Sequence, residues 1–178
     1  PEWDHFPWRE NEDELNSWKR GLTGQPIVDA GMREMYVTGR MHNRVRMIVA
    51  SYLTKHLLID WRHGLKWFED CLIDWDPASN AMGWQWVAGS GPDASPFFRV
   101  FNPELQAKKF DPDSKYQMKY LGLSFKPTPD SDKFCKMAPK SWNVDEKSRP
   151  SASIVDLKFG RDRALNTYSK FKKIIADK

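Results

Sequence analysis

The residues best suited to chemistry lie in one short stretch, from Asp74 to Trp86. Two carboxylates stand one residue apart at Asp74 and Asp76, and an asparagine follows at Asn80. Aspartate beside proline most often forms a turn, but two acceptors in a turn can also bind one polar edge of a ligand. A carboxylate buried there would need a cation, and Arg46 is the candidate partner. A structural turn, an acid–base pair and a ligand site all remain open at this point.

The amide of Asn80 and the indoles of Trp84 and Trp86 each have a structural and a functional interpretation. An amide both donates and accepts hydrogen bonds, which suits a heteroaromatic ring whose protonation changes, whereas asparagine alone is typical of a helix cap. Trp84 and Trp86 lie two residues apart, so a helix directs them to different faces. We therefore expect the two indoles to have different roles.

A second polar group lies upstream, on a predicted helix. Asn43, Arg46, Met47 and Ala50 have the spacing i, i+3, i+4 and i+7, which places them on one stripe. Scattered basic residues such as Arg44 usually face solvent, but beside aromatic residues they can hold phosphates and help to bind bases. The two stretches together predict a large, aromatic and anionic ligand between them.

The composition favours a globular chain and argues against several other classes. The 178 residues are 40% hydrophobic and 29% charged, and no apolar run approaches the ~20 residues of a membrane-spanning helix. A net charge of +4 permits nucleic-acid binding without requiring it. Two distant cysteines and four histidines without ligand spacing predict neither a disulfide framework nor a metal site. Nine tryptophans are more than core packing ordinarily needs.

The apolar periodicity predicts an all-α fold, since no strand pattern is longer than four residues. The longer helices are predicted over residues 26–38, 41–57, 63–73 and about 154–175. A shorter one is predicted from Pro112 to Leu121 with Asp111 as its cap, and another around 84–88 with Ser79 or Asn80 as its cap. Prolines and glycines predict loops over 89–103 and 122–152.

Taken together, these motifs resemble the photolyase/cryptochrome family, specifically its C-terminal FAD-binding helical domain. The matching stretches are Thr23–Arg33, Met41–Met47, Leu58–Arg62, Asp74–Trp86 and Phe98–Pro103. The resemblance is dense over residues 8–121 and looser in the last helix. It implies that residues 1–178 are the C-terminal part of this domain. The first residue is Pro1, so we expect a fragment whose antenna-binding α/β domain lies elsewhere.

The resemblance also implies a role for each residue of the two stretches. Those expected to line the flavin are Asn43, Arg46, Asp74, Trp75, Asp76 and Asn80. Those expected to contact the DNA lesion are Asn43, Arg44, Met47 and Trp86. A relay of single electrons between the flavin and the surface would use Trp84, Trp61 and Trp8. Asn80 would face the flavin N5 atom and act in catalysis together with this relay.

The function implied is light-driven DNA repair by a class I-like cyclobutane pyrimidine dimer photolyase. In such enzymes, excited reduced FAD transfers an electron to the dimer, which then splits. The expected partner is UV-damaged DNA, and the protein is expected to be a monomer of the bacterial-type cytoplasm that uses no membrane. An antenna chromophore of the folate or deazaflavin type would bind the α/β domain. The present chain alone is expected to be inactive.

Alternative functions within the same family are a cryptochrome-type blue-light receptor and repair of (6-4) photoproducts. Asn80 disfavours the receptor, because similar plant and insect receptors carry Asp or Cys there. Asn43 and Met47 disfavour (6-4) repair, because those enzymes carry His at the matching positions. Arg40 departs from the family pattern, since relatives often have Trp there. A helical core that is merely rich in tryptophan is the alternative outside the family.

Overall fold

Helices are the regular elements throughout the described parts of the chain. The computed structural model describes residues 2–91, 96–97, 99–122 and 126–177. The α-helices there are α1 (Glu12–Lys19), α2 (Pro26–Thr38), α3 (Asn43–Ser51), α4 (Trp61–Cys71), α5 (Pro77–Ala88), α6 (Pro103–Phe110), α7 (Lys115–Leu121), α8 (Pro129–Met137) and α9 (Leu157–Ala176). These residues form isolated bridges, such as Arg9 with Ile59, but no β-strand. The predicted all-α fold class is confirmed.

The helix α2 has the bounds that its sequence predicts. Pro26 occupies the first turn, where its missing N–H costs nothing, and Gly39 forms the C-cap with a φ of 68°. Glycine adopts this left-handed conformation without steric cost. A Cβ at Gly39 would also lie 2.5 Å from Cγ2 of Ile73, which lies in the turn after α4. This close approach is a second reason for glycine at this position.

The segment predicted as one helix over 41–57 consists of two kinds of helix. The α3 helix begins at Asn43, where the His42 ring accepts a hydrogen bond from the Arg44 N–H at 3.1 Å. From Tyr52 to His56 the chain continues as a π-helix. A π-helix places one more residue in each turn than an α-helix and is frequent at functional sites. The predicted helix is therefore confirmed, but it is not one uniform α-helix.

The start of α5 corrects the prediction of a short helix capped by Ser79 or Asn80. The helix begins at Pro77, and the Asp76 carboxylate caps it by accepting a hydrogen bond from the Ser79 N–H at 2.7 Å. Inside a helix, Pro77 would interrupt the backbone hydrogen bonds. Proline is instead favoured in the first turn of a helix, where its fixed φ suits the start.

Of the two predicted loops, the segment 122–152 contains a helix. It includes α8, which begins with a capping box between Thr128 and Ser131 and buries Phe134 to 1% exposure. The predicted loop 89–103 has no helix in its described residues before Pro103, where α6 begins with Asn102 as its cap. Residues 92–95 and 98 of that loop lie outside the described residues. Both α8 and α6 begin at a proline.

The helix predicted to start at Pro112 starts three residues later, at Lys115. Its residue before the first turn is Ser114, not Asp111. The Asp111 carboxylate nevertheless accepts hydrogen bonds from the N–H groups of Tyr116 and Gln117, each at 3.0 Å. Asp111 thus satisfies free donors of the first turn from outside the cap position.

The main hydrophobic core lies between α1, α2, α3, α4 and α5. Trp18 has no exposed surface there, and its indole Nε1–H donates to the carbonyl of Val49 at 3.0 Å. A second cluster joins the N-terminal segment to α9 through Phe6, Phe97 and Phe171. Within the described ranges, no helix is both long and apolar enough to span a bilayer. The same ranges contain no group of three or more His, Cys, Asp or Glu residues able to hold a metal ion.

Candidate functional site

A cavity of about 180 Å³ lies between α3, α4 and α5 and brings the two predicted stretches together. The lining residues from those stretches are Asn43, Arg46, Met47, Ala50, Asp74, Trp75, Asp76, Asn80 and Trp84. The i, i+3, i+4, i+7 stripe of α3 thus forms one wall of this cavity, as its spacing indicates.

The opposite wall is a second stripe, on α5, that the sequence analysis recognised only in part. Asn80, Gly83, Trp84 and Val87 line the cavity and have the same i, i+3, i+4, i+7 spacing. Gly83 and Val87 were not predicted. Their spacing could have been found in the sequence, because a helix capped by Ser79 contains all four positions.

The predicted ion pair between Arg46 and Asp74 is present at the edge of the cavity. The same guanidinium nitrogen, Nη2, donates to both carboxylate oxygens of Asp74, at 3.0 and 2.8 Å. Arg46 Nε donates to the carbonyl of Met41 at 2.7 Å. The two side chains are 27% and 56% exposed, so the pair adds little stability. Its main effect is to hold the guanidinium in one orientation.

Asp76 and Asn80 contribute one charged and one neutral polar group. The hydrogen bond from the Ser79 N–H holds the pKa of Asp76 below its ordinary value, so this carboxylate is ionised at neutral pH. Asn80 Nδ2 donates to the carbonyl of Leu65 at 3.4 Å, which is a long hydrogen bond. The Asn80 amide is thus oriented only weakly by the protein.

Trp84 forms an apolar wall, and its position depends on a glycine in α4. The indole is 2% exposed, and its ring meets those of Phe68 and Trp18 edge-on, with centroids 4.9 and 6.1 Å apart. A Cβ on Gly64 would lie only 2.1 Å from Cη2 of Trp84. Gly64 therefore provides the space that the indole occupies. Neither Gly64 nor Trp18 was predicted, because both roles depend on contacts between separate helices.

The other relay tryptophans lie in or beside the same core. Trp61 is 8% exposed and belongs to the cluster that contains Trp84. Trp8 is half-buried at the margin of that cluster, with its ring centroid 4.5 Å from that of Phe6. The three tryptophans therefore belong to, or pack against, one hydrophobic cluster. Their role as a relay stays a prediction.

The predicted lesion-binding residues fall into two groups. Asn43 and Met47 line the cavity, with Asn43 Nδ2 4.0 Å from the sulfur of Met47. Arg44 lies outside the lining, with its guanidinium 4.7 Å from the ring centroid of Phe110. Trp86 is half-buried against the core and does not line the cavity. The predicted separation of Trp84 from Trp86 is confirmed, and the DNA contacts stay predictions.

Known proteins of one family are similar to this chain in sequence. Residues 1–170 match the family described as the FAD binding domain of DNA photolyase. The chain belongs to this family. It is 52% identical to the deoxyribodipyrimidine photo-lyase of Agrobacterium fabrum over 96% of this chain and 36% of that protein. It is 52% identical to the enzyme of the same name from Escherichia coli over 66% of this chain and 25% of that one. The chain thus spans about a third or less of the length of these relatives.

Solved structures of photolyases and of a cryptochrome share the fold. A class III photolyase from Agrobacterium tumefaciens superposes with a TM-score of 0.81 at 52% identity, over 97% of this chain and 36% of that one. A Synechocystis cryptochrome gives 0.74 at 38% identity, over 92% of this chain and 34% of that one. The predicted helical FAD-binding domain of the photolyase type is confirmed by these similarities.

The cavity suits the flavin ring of FAD in its polar groups. A flavin ring is a flat heteroaromatic system with hydrogen-bond donors and acceptors along one edge. Among the described residues, the buried indole N–H groups of Trp75 and Trp84 have no hydrogen-bond partner, which is costly unless a bound group satisfies them. Arg46 supplies a positive charge, and Asn80 supplies both a donor and an acceptor. The residues therefore fit the cofactor that the family implies.

Proposed function

We propose that the protein containing this chain repairs cyclobutane pyrimidine dimers in DNA under light, with the flavin of FAD held in the α3–α5 cavity. What supports the proposal is the meeting of the Arg46–Asp74 pair, Asn80 and Trp84 at one cavity of a photolyase FAD-binding domain. Bound FAD would supply the absorption of blue light and the light-driven transfer of one electron to the dimer, which no side chain provides. The protein would contribute binding, orientation and the charge environment.

The polar residues would set the charge state that the site favours. Arg46, held by Asp74 and by the Met41 carbonyl, would keep one positive charge beside the cavity and so favour an anionic ring. Asn80 is neutral, and its amide can accept a hydrogen bond from a protonated ring nitrogen or donate one to a deprotonated nitrogen. An ionised carboxylate at the same place could only accept. Asn80 would therefore serve a ring in either protonation state.

The tryptophans would supply single electrons to the cavity. Indole is the most readily oxidised of the common side chains and can pass one electron across a short gap. Trp84 lines the cavity, so it would be the first donor, with Trp61 next and Trp8 last at the protein margin. In this order, the oxidised indole that each electron transfer leaves behind lies farther from the cavity.

UV-damaged DNA would bind with the dimer turned out of the duplex and into the open side of the cavity. Photolyases are an established case of such base flipping, which costs a few kcal/mol and less for a damaged base. Asn43 and Met47 would contact the dimer, while Arg44 and Trp86 would contact the flanking DNA. Because phosphate contacts release counterions, binding would weaken as salt rises.

The remaining expectations about the whole protein belong to the same proposal. The remainder of the protein would carry the α/β domain, with an antenna chromophore of the folate or deazaflavin type. The enzyme would act as a monomer on DNA in a bacterial-type cytoplasm. The class I-like assignment stays a prediction, and the similar Agrobacterium structure is named a class III photolyase.

A blue-light receptor of the cryptochrome type is the second candidate function. The similarity to the Synechocystis cryptochrome, at 38% identity and a TM-score of 0.74, favours it. The two functions use the same flavin and differ in whether a dimer is split. Asn80 is the residue of this chain that favours repair over signalling.

Repair of a duplex that contains a single thymine dimer tests the proposed function. We expect the full-length protein to restore the dimer under blue light, to fail in the dark, and to leave a (6-4) photoproduct unchanged. Asn80→Asp should lower repair at least about tenfold, because an ionised carboxylate cannot donate to the ring. Binding to dimer DNA should change little in this variant. Light-independent repair, or full repair by Asn80→Asp, would contradict the proposal or the role of Asn80, respectively.

A further inference from the structure

Lys55 is a fully buried lysine in the π-helix that follows α3. Its Nζ donates to the carbonyl of Ala88 at 3.1 Å and lies 3.4 Å from the ring centroid of Phe97. Lysine is almost never fully buried unless it is paired. Among the residues that the structure describes, no carboxylate forms a salt bridge with Lys55. Such a costly position calls for a function.

The partner of Lys55 is the end of the helix that carries the site. Ala88 is the last residue of α5, where carbonyl groups lack partners within the helix and carry partial negative charge. Val87, its neighbour, lines the cavity from α5, and Ala50 lines it from the last turn of α3. The Lys55–Ala88 hydrogen bond therefore joins the two walls at one end of the cavity.

The same ammonium also contacts the aromatic cluster behind α5. Phe97 stacks on Tyr168 of α9, with centroids 4.5 Å apart and an interplanar angle of 12°. A cation over an aromatic face is attracted by the ring, and more strongly when both are shielded from water. Lys55 thus links α5 to α9 through one side chain.

We propose that Lys55 is a positioning residue for the flavin site, because its side-chain amine holds the C-terminal end of α5 against the π-helix. This attachment fixes the register of α5, and with it the places of Asn80 and Trp84 at the cavity wall. The proposal rests on the proposed function for its effect on light-driven chemistry. Its effect on α5 itself is independent of any flavin.

The attachment is sensitive to pH, because burial lowers the pKa of Lys55 to about 7. Loss of the proton removes the cost of burying a charge, and the neutral amine still donates to the Ala88 carbonyl. Opening of the last turn of α5 would return Lys55 to water and to its ordinary pKa, so this opening should become less favourable as pH rises through about 7. Global stability should change in the same direction. The unfolded chain keeps this proton up to its ordinary pKa, so raising the pH favours the folded state by up to about tenfold per unit.

Two ionisable neighbours of Lys55 on the π-helix do not reproduce this titration. Burial lowers the pKa of His56 to about 4 and raises that of Tyr52, so neither changes charge near neutrality. The α5 helix has no ionisable side chain. On α9, Arg163 donates to the carbonyl of His56 at 2.7 Å, and Tyr168 stacks on Phe97. On α4, burial raises the pKa of Cys71 to about 12, while His63 is exposed.

Hydrogen exchange of the last turn of α5, measured on the full-length protein between about pH 6 and 9, tests the proposal. The matched variants are Lys55→Met, which keeps the length of the side chain, and Lys66→Met, which changes an exposed lysine of α4. After correction for intrinsic exchange, wild type and Lys66→Met should gain protection at Gly89 as pH rises. Lys55→Met leaves the Ala88 carbonyl without this donor, so it should be less protected at pH 9, by about threefold or more, and should show no such titration.

Photoreduction of bound FAD provides the functional readout in the same proteins. The rate should rise with pH in wild type and Lys66→Met, and should be low and independent of pH in Lys55→Met. A wild-type α5 whose protection does not change with pH overturns the proposal, even if Lys55→Met fails to fold. Protection in Lys55→Met equal to that of wild type overturns it as well. Wild-type protein that binds no FAD contradicts the proposed function instead, because the exchange experiment needs no flavin.

Discussion

Trp84→Phe is expected to slow the photoreduction of oxidised FAD at least about tenfold in the full-length protein, while repair by already reduced FAD continues. Trp84 lines the cavity and is 2% exposed, so it is the indole placed to give the first electron. Phenylalanine keeps an aromatic ring at this position but is much harder to oxidise. The measurement is the rate of flavin bleaching under blue light with an external reductant, followed by a repair assay.

Trp86→Phe is the matched control for this experiment. Trp86 lies two residues further along α5 and does not line the cavity, so photoreduction should stay at the wild-type rate. If Trp86 contacts the damaged DNA, this variant should lower repair instead. The two substitutions would then separate electron supply from lesion binding. Wild-type photoreduction in Trp84→Phe would remove Trp84 from the relay.

Gly64→Ala is expected to lower the free energy of unfolding by ~1–3 kcal/mol and to weaken FAD binding. The new Cβ would lie 2.1, 2.5 and 2.6 Å from three ring carbons of Trp84, and a rigid indole packed against Phe68 and Trp18 has little room to move. Alanine favours a helix over glycine by ~1 kcal/mol, which offsets part of this cost. Urea denaturation gives the stability, and gel filtration gives the FAD content.

Gly83→Ala, on the facing helix α5, is expected to raise stability instead of lowering it. A Cβ at Gly83 meets no described atom within 4 Å, so the gain in helix propensity should raise stability by ~0.5–1 kcal/mol. A Gly64→Ala protein as stable as Gly83→Ala would show that Trp84 moves aside freely. The proposed rigidity of this cavity wall would then be wrong.

The sequence predicted the parts of the site that depend on one helix or one charge pair. The spacing of Asn43 and Ala50 placed both on one wall, and the need of a carboxylate at Asp74 or Asp76 for a cation indicated Arg46, which pairs with Asp74. The ends of α2 followed from Pro26 and Gly39, because each residue has one preferred position at a helix end.

What the sequence did not predict depends on context that a single stretch does not contain. Pro77 is compatible with a chain break and with the first turn of a helix, and only the Asp76 cap decides between them. Over only five residues, the apolar pattern of a π-helix cannot be distinguished from that of the α-helix before it. Gly64 matters only because Trp84 packs against it from another helix. Lys55 looked like one of several surface cations, and its burial follows from the packing of α5 and α9.

The amount of FAD that stays bound to Gly83→Phe in the full-length protein tests the central claim most directly. A Cβ at Gly83 has open space on the cavity side, so phenylalanine should fill the cavity without disturbing the packed core. After gel filtration, we expect wild type and Gly83→Ala to retain FAD and Gly83→Phe to retain almost none, with equal helical content by circular dichroism. Wild-type FAD content in a folded Gly83→Phe protein would show that the flavin does not bind between α3 and α5.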